Sequence, residues 1–242
     1  MSALFFCIQL FNKLGFCPFC PLLFFPDLSG KMFTFPQQTN TAHVRLSLTN
    51  RDYNAVTVCH RSVTDIKRDH ALFSLATPSH ANSFLVIWHN GVQEIQTHVK
   101  TTAAGYGGWD YKSNTWHSIC TTWDSVTGLG QIWFDGTPSI RKFIRTLNLY
   151  SSTCNILDNP QDQDTHGGGF DIKQSFVGMM SDVHMWDFIL SPCEIQNYME
   201  NLHFTPGNVL NWNALDFDIF GHVLIENKTV VDRSTCAALQ IV

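Results

Sequence analysis

A chain of 242 residues that is 44% apolar has enough hydrophobic surface for one large β domain or two small ones. Only 14% of its residues are charged, the net charge is -5, and no basic run stands out, which excludes nucleic acid as a main partner because phosphate contacts need clustered Lys and Arg. No heptad, low-complexity tract, internal repeat or long polar linker is visible, so a single domain is expected.

Residues 1–30 read as a degenerate or misassigned targeting segment outside the fold. Met1–Leu10 is apolar like a short signal core, but it lacks a basic leader, and Asn12 and Lys13 follow it. Pro18, Pro21 and Pro26 break the next apolar stretch. Neither reaches the length of a membrane helix, so no membrane span is expected. Cys17 and Cys20 form a lone CxxC with no second pair, which gives zinc or redox chemistry little support.

From about residue 33 the pattern is one of short strands and turns. Val44–Leu48, Val56–Cys59 and Ile95–Val99 alternate, as half-buried strands do. Phe84–Trp88 is continuously apolar and suits a strand buried on both faces. Thr115–Trp123 predicts another strand, Gly128 a turn, and Gln131–Asp135 the returning partner. Asp135-Gly136 then supplies a hairpin turn. Ser175–Met179 is again strand-like. Ser191-Pro192-Cys193-Glu194 combines an N-cap serine, a proline at the first helical position and a capping-box glutamate, predicting a helix to about Asn201. The fold class expected from this spacing is all-β, a two-sheet sandwich with one short helix on one face.

The segment from Gln161 to Gln174 packs Asp162, Asp164 and Asp171, with several amide side chains, around Gly167, Gly168 and Gly169. Hard cations such as Ca²⁺ take six to eight oxygen ligands in flexible geometry. Glycines let a loop fold back so that ligands on either side converge. Residue types alone leave two readings open, a solvated acidic loop and a calcium site. The EF-hand pattern is absent.

Several blocks, in order, resemble the pentraxin family. Cys120-Thr121-Thr122-Trp123-Asp124-Ser125 followed by Ile132-Trp133-Phe134-Asp135-Gly136 resembles its central signature. Val183–Pro192 and Val209–Leu215 resemble its C-terminal blocks, and Lys31–Pro36 the start of the mature short pentraxins, the C-reactive protein and serum amyloid P type. The domain is therefore expected over residues 31–235, with residues 236–242 as a tail.

The resemblance implies a secreted, lectin-like (laminin-G-like) jelly roll that closes into a homo-oligomeric ring, usually a pentamer. Two adjacent Ca²⁺ ions per subunit would grip phosphocholine, phosphoethanolamine or anionic polysaccharide on microbial or damaged-cell surfaces. Complement and phagocyte receptors would meet the opposite face, in innate immunity and the acute phase. By position, Asp162 and Asp164 would bridge both ions, the Gln163 carbonyl and Asn82 would serve the first, and Asp171 and Gln174 would complete the second. Ala81 stands where the family has Asp, which implies a weaker first site. Ile87 stands at an aromatic position of the ligand pocket, and Glu94 is the candidate for the acidic residue facing choline. The family disulfide would join Cys59 and Cys120, leaving Cys154, Cys193 and Cys236 without assigned partners. Asn227 opens a glycosylation sequon. Ser118 stands where the signature has His, and both it and His117 are expected as surface strand residues.

Two other functional classes stay in view. One is a calcium-stiffened interaction module that binds no small ligand. The other is a sandwich-fold glycosidase, disfavoured because no second Glu completes a Glu-x-Asp-x-x-Glu pattern, and no hydrolase elbow, Walker loop or zinc-protease motif occurs. The expectation is a binding protein and not an enzyme.

Overall fold

The computed structural model describes residues 27–48, 53–77, 80–144, 156–159 and 171–228. Strands β1 (Lys31–Phe35), β3 (Ala55–Val63), β8 (His117–Asp124), β9 (Leu129–Phe134), β10 (Thr137–Pro138), β11 (Lys142–Phe143), β13 (Gly178–Trp186) and β15 (Leu224–Asn227) form one antiparallel sheet. Its order is β10-β9-β8-β3-β13-β1-β15, with β11 also on β9. The second sheet runs β14 (Phe217–Phe220), β2 (His43–Ser47), β12 (Ile156–Asn159), β4 (His70–Thr77), β5 (His80–His89), β6 (Glu94–Val99) and β7 (Thr102–Gly107). Among the described residues one α-helix, α1 (Pro192–Met199), covers the outer face of the first sheet.

The period of two explains the layers. In β5, Phe84, Val86 and Trp88 point inward to the main core, while Leu85 and Ile87 form a separate outer cluster with Ala71. All five are at most 2% exposed, so the uninterrupted apolar run is buried on both faces as expected. The main core takes Phe33, Val56, Val58, Phe73, Ile119, Trp123 and Met185 from both sheets. The hairpin between β9 and β10 turns at Asp135 and Gly136, with φ of 46° and 83°. Two residues at positive φ match the right-handed twist of the flanking strands.

Cys59 and Cys120 are cross-strand partners in β3 and β8 and are joined by a disulfide. The bond closes a 61-residue separation. In the chain-entropy account such a loop constrains the unfolded chain by about 4 kcal/mol. Trp133, Trp186, Ile195 and Tyr198 enclose it beneath α1.

The helix begins as read, with Ser191 Oγ accepting from the Glu194 N–H at 3.2 Å. The reciprocal half of the capping box is absent. Glu194 Oε2 instead accepts from the Thr205 N–H at 2.8 Å and ties the downstream turn to the helix. Asn201, at φ 57°, lies beyond the last helical turn. At the other end of the chain, Leu28 is 2% exposed and its carbonyl accepts from Trp212 Nε1 at 2.8 Å, so the packed structure begins before residue 31.

The sequence pattern does not announce strands β4, β7, β14 and β15, and the strand expected at Ser175–Met179 begins only at Gly178 and runs on to Trp186. His117 also differs from expectation. It is 4% exposed, with Nδ1 2.7 Å from Asp135 Oδ2 and its ring stacked on Tyr111, because β9 and residues 109–111 close over it.

Three buried histidines are His60 and His70 in the sheets and His184 on the outer face beneath α1. Burial pushes His60 down to about 3, and His70 and His184 down to about 4. A neutral buried histidine opposes protonation in the folded state alone, so the unfolded chain binds more protons below its ordinary value of about 6.5. Stability is therefore expected to be flat above that value and to fall as pH drops toward 4, by up to about 1.4 kcal/mol per pH unit for each histidine. Chemical denaturation near pH 7 and near pH 5 measures this directly.

Candidate functional site

The outer face of the second sheet assembles the described part of the candidate site. Ala71 of β4 is the register partner of Ile87 in β5, and Ile87 is in turn the partner of Gln96 in β6. Ala71, Leu85 and Ile87 make an apolar floor. Onto this floor the turn at 171–174 is pinned, with the Ala71 N–H donating to the Gln174 carbonyl at 3.0 Å. The Asp171 carbonyl accepts from the Gln174 N–H, and Asp171 Oδ1 accepts from the Lys173 N–H, both at 2.9 Å.

Arg68 fastens the same turn. Its Nη1 donates to the carbonyls of Lys173 at 2.8 Å and Asp69 at 3.0 Å, and Nη2 donates to Ser175 Oγ at 3.3 Å. Burial lowers the Arg68 value, and the Asp171 carboxylate counters that by favouring the charged guanidinium. Beside it, Asp69 Oδ2 lies 2.9 Å from His89 Nδ1, and Asp69 Oδ1 accepts from the Asn90 N–H at 2.8 Å. Burial alone would raise the Asp69 carboxyl, but the hydrogen bonds from His89 and Asn90 outweigh it and hold the group below its usual range.

The residues singled out from sequence fall into three groups. Asp171, Gln174 and Ile87 come together at this edge. Asn82 is half-buried in β5, and Glu94 opens β6 on the same face as Gln96. Glu94 reaches across β7, where a Cβ on Gly105 would lie 2.1 Å from Glu94 Oε2. Glycine at 105 is therefore what lets that carboxylate lie over the neighbouring strand. Asp162, Gln163 and Asp164 lie outside the described residues, as do Cys154 and Cys236. Cys193 is an exposed free thiol in α1. Asn227 is exposed in the edge strand β15, where its Oδ1 accepts from Lys31 Nζ at 2.6 Å. Arg68, Asp69, Ala71 and His89 escaped notice in the sequence, because only register brings them to the turn.

One observation bears on a metal. Gln174 Oε1 is buried and, among the described residues, has no hydrogen-bond partner. Such an atom costs about 1–3 kcal/mol unless something meets it, and a carbonyl-type oxygen beside a carboxylate is a hard-cation ligand. Gln174 and Asp171 thus fit a calcium ion by donor chemistry.

The chain matches the Pentaxin family over residues 31–227. It is 37% identical to the C-reactive protein of Rattus norvegicus over 201 residues, covering 83% of this chain and 86% of the relative. It is 34% identical to the serum amyloid P-component of Sus scrofa over 203 residues, covering 84% and 89%. Among solved structures, the native heptameric SAP-like pentraxin from Limulus polyphemus superposes with a TM-score of 0.76 at 22% identity, over 83% of this chain and 96% of that one. Domains LG4-5 of the mouse laminin α1 chain superpose at 0.51 and 12% identity, over 80% and 48%, a likeness of fold alone. The two-sheet sandwich with its bonded Cys59–Cys120 pair, together with this match across nearly the whole described chain, means that the protein belongs to the pentraxin family and is a non-enzymatic short pentraxin related to C-reactive protein and serum amyloid P-component.

Proposed function

We propose that this chain is a secreted, calcium-dependent pattern-recognition protein that binds phosphate- or carboxylate-bearing ligands of the phosphocholine type. Pentraxins typically bind calcium. The observation that supports the same for this chain is the buried Gln174 Oε1, unpartnered among the described residues, in the same turn as Asp171. Asp162 and Asp164 would bridge both ions, Asn82 and the Gln163 carbonyl would serve the first, and Asp171 and Gln174 would complete the second. Calcium that keeps open coordination positions offers a positive, replaceable shell to an anionic oxygen.

The residues of the chain do the rest. Arg68 fastens the turn through main-chain carbonyls, so Asp171 and Gln174 are positioned before any ligand arrives. Ile87 supplies an apolar wall that can meet a choline methyl, without the cation–π contribution an aromatic ring would add. Glu94, on the same face, offers a carboxylate to a quaternary ammonium. Secretion accords with a disulfide in place, an accessible sequon at Asn227, and relatives named for serum. Among the described residues no helix is long and apolar enough to cross a membrane.

Calcium at ten times its dissociation constant should raise the unfolding free energy by about 1.4 kcal/mol per site, reversed by chelator. Gln174→Leu removes the orphan acceptor, so it should leave calcium-free stability unchanged or about 1 kcal/mol higher while weakening calcium binding. Equal calcium response in both proteins would reject Gln174 as a ligand. A phosphocholine resin loaded in calcium and eluted with chelator tests ligand binding.

Ala81 removes a carboxylate beside Asn82. Ala81→Asp should therefore tighten the first calcium from the roughly 10⁻⁴–10⁻³ M extracellular class, with little change at the second. Side-by-side calorimetric titration decides it, and equal curves would mean that another oxygen already serves.

We further propose that the chain closes into a homo-oligomeric ring, five-membered in the simplest case. Family membership supports it, as does the need for head-to-tail contacts to close or run on as filaments. Native mass spectrometry at micromolar concentration should show a single closed species, and monomer alone would reject it.

A further inference from the structure

On the outer face of the first sheet, away from the calcium edge, lies a cavity of about 300 Å³. Its lining combines apolar groups, Met32, Met179 and Trp116, with polar ones that include Arg61, Lys228 and Ser181. Trp116 is 42% exposed, whereas Met32 is 7% exposed.

The polar groups are held in place. Asp182 sits at φ 54° where the β13–β3 register shifts, and its Oδ2 accepts from Ser181 Oγ at 3.1 Å, lies 3.3 Å from Arg61 Nε, and pairs with Lys228 Nζ. Arg61 Nη2 donates to the Tyr198 carbonyl at 2.5 Å, and the guanidinium lies over the Tyr198 ring with 5.0 Å to its centroid. Three carboxylates lie near these cations, and each is already engaged. Asp182 is occupied as described. Asp135 accepts from the Ser118 N–H and pairs with His117, and Glu226 accepts from Thr34 Oγ1. None of the three is among the described residues that line the cavity, whose charged members are Arg61 and Lys228.

We propose that this cavity binds a small aromatic carboxylate. The volume admits a body of about ten heavy atoms, at the lower end of the range for ligand sites. Two positioned cations favour a carboxylate, and thioether sulfurs beside an indole favour an aromatic ring. Arg61 and Lys228 are pre-positioned by Asp182, so little side-chain order is lost when an anion arrives.

The test uses the full chain in chelator, which separates this site from the calcium edge. Phenylacetate, titrated by calorimetry, should bind saturably with a dissociation constant below about 1 mM, while 2-phenylethanol, which has the ring without the charge, should bind at least about tenfold more weakly. Lys228→Gln should weaken phenylacetate by about tenfold and leave phenylethanol unchanged. Trp116→Ala, at an exposed position, should weaken both. The proposal fails if phenylacetate does not saturate, if phenylethanol binds equally well, if Lys228→Gln has no effect, or if binding requires calcium. Loss of calcium binding at the other sheet would leave these results unchanged.

Discussion

Strand β5 is buried on both faces, and much of the molecule depends on that. Its inward side chains, Phe84, Val86 and Trp88, lock the second sheet onto the first. Its outward ones, Leu85 and Ile87, are as inaccessible as the inner set. A strand with no polar face cannot slip its register by one residue without exchanging one apolar set for the other, so its pairing with β4 and β6 is held by cross-strand packing. That pairing puts Ala71 beside Ile87, and Ala71 is where the Asp171–Gln174 turn attaches. The candidate ligand-binding edge is thus an extension of the core and not a loop added to it.

The two outer faces serve different ends. On the first sheet, α1 and the Cys59–Cys120 bond enclose a second apolar cluster. The carboxylate of Glu194, left over from an N-cap that Ser191 makes alone, is used to hold Thr205. On the second sheet, polar groups are arranged around a small apolar floor, and Arg68 satisfies main-chain carbonyls of the turn while leaving the Gln174 amide oxygen without a partner. The Gln174 amide oxygen, one of several buried polar atoms unmet among the described residues, lies in the same turn as the Asp171 carboxylate, and the two have the donor chemistry of hard-cation ligands.

Local pattern made a good part of this legible. The apolar run at Phe84–Trp88, the Asp135-Gly136 hairpin, and the helix start at Ser191-Pro192 each express a rule that acts within a few residues, namely side-chain alternation, positive φ, or capping. Strand β4 was missed because His70 and Ser74 interrupt its apolar pattern, yet both are buried: His70 hydrogen-bonds to the Arg68 carbonyl and Tyr111, and Ser74 sits beside Leu85. Strand β7 was missed because Thr102–Gly107 is mostly small residues, and it is held by its ladder to β6. His117 departs from the surface expectation for a similar reason. Nothing in its neighbours announces that Asp135 and Tyr111, distant in sequence, will enclose it.

The sequence by itself determined the strand-rich class, the family, and which oxygen-bearing side chains are gathered between Asp162 and Gln174. These follow from composition and short-range order, which the chain carries whether folded or not. Only the tertiary structure decided that Gln174 docks on Ala71 beside Ile87, that Arg68 is the fastener, that Gly105 makes room for Glu94, and that Arg61 and Lys228 converge on Asp182. Each of those depends on which strands become neighbours and in what register. Register is set by the summed burial of two whole sheets, a quantity no local stretch of residues encodes.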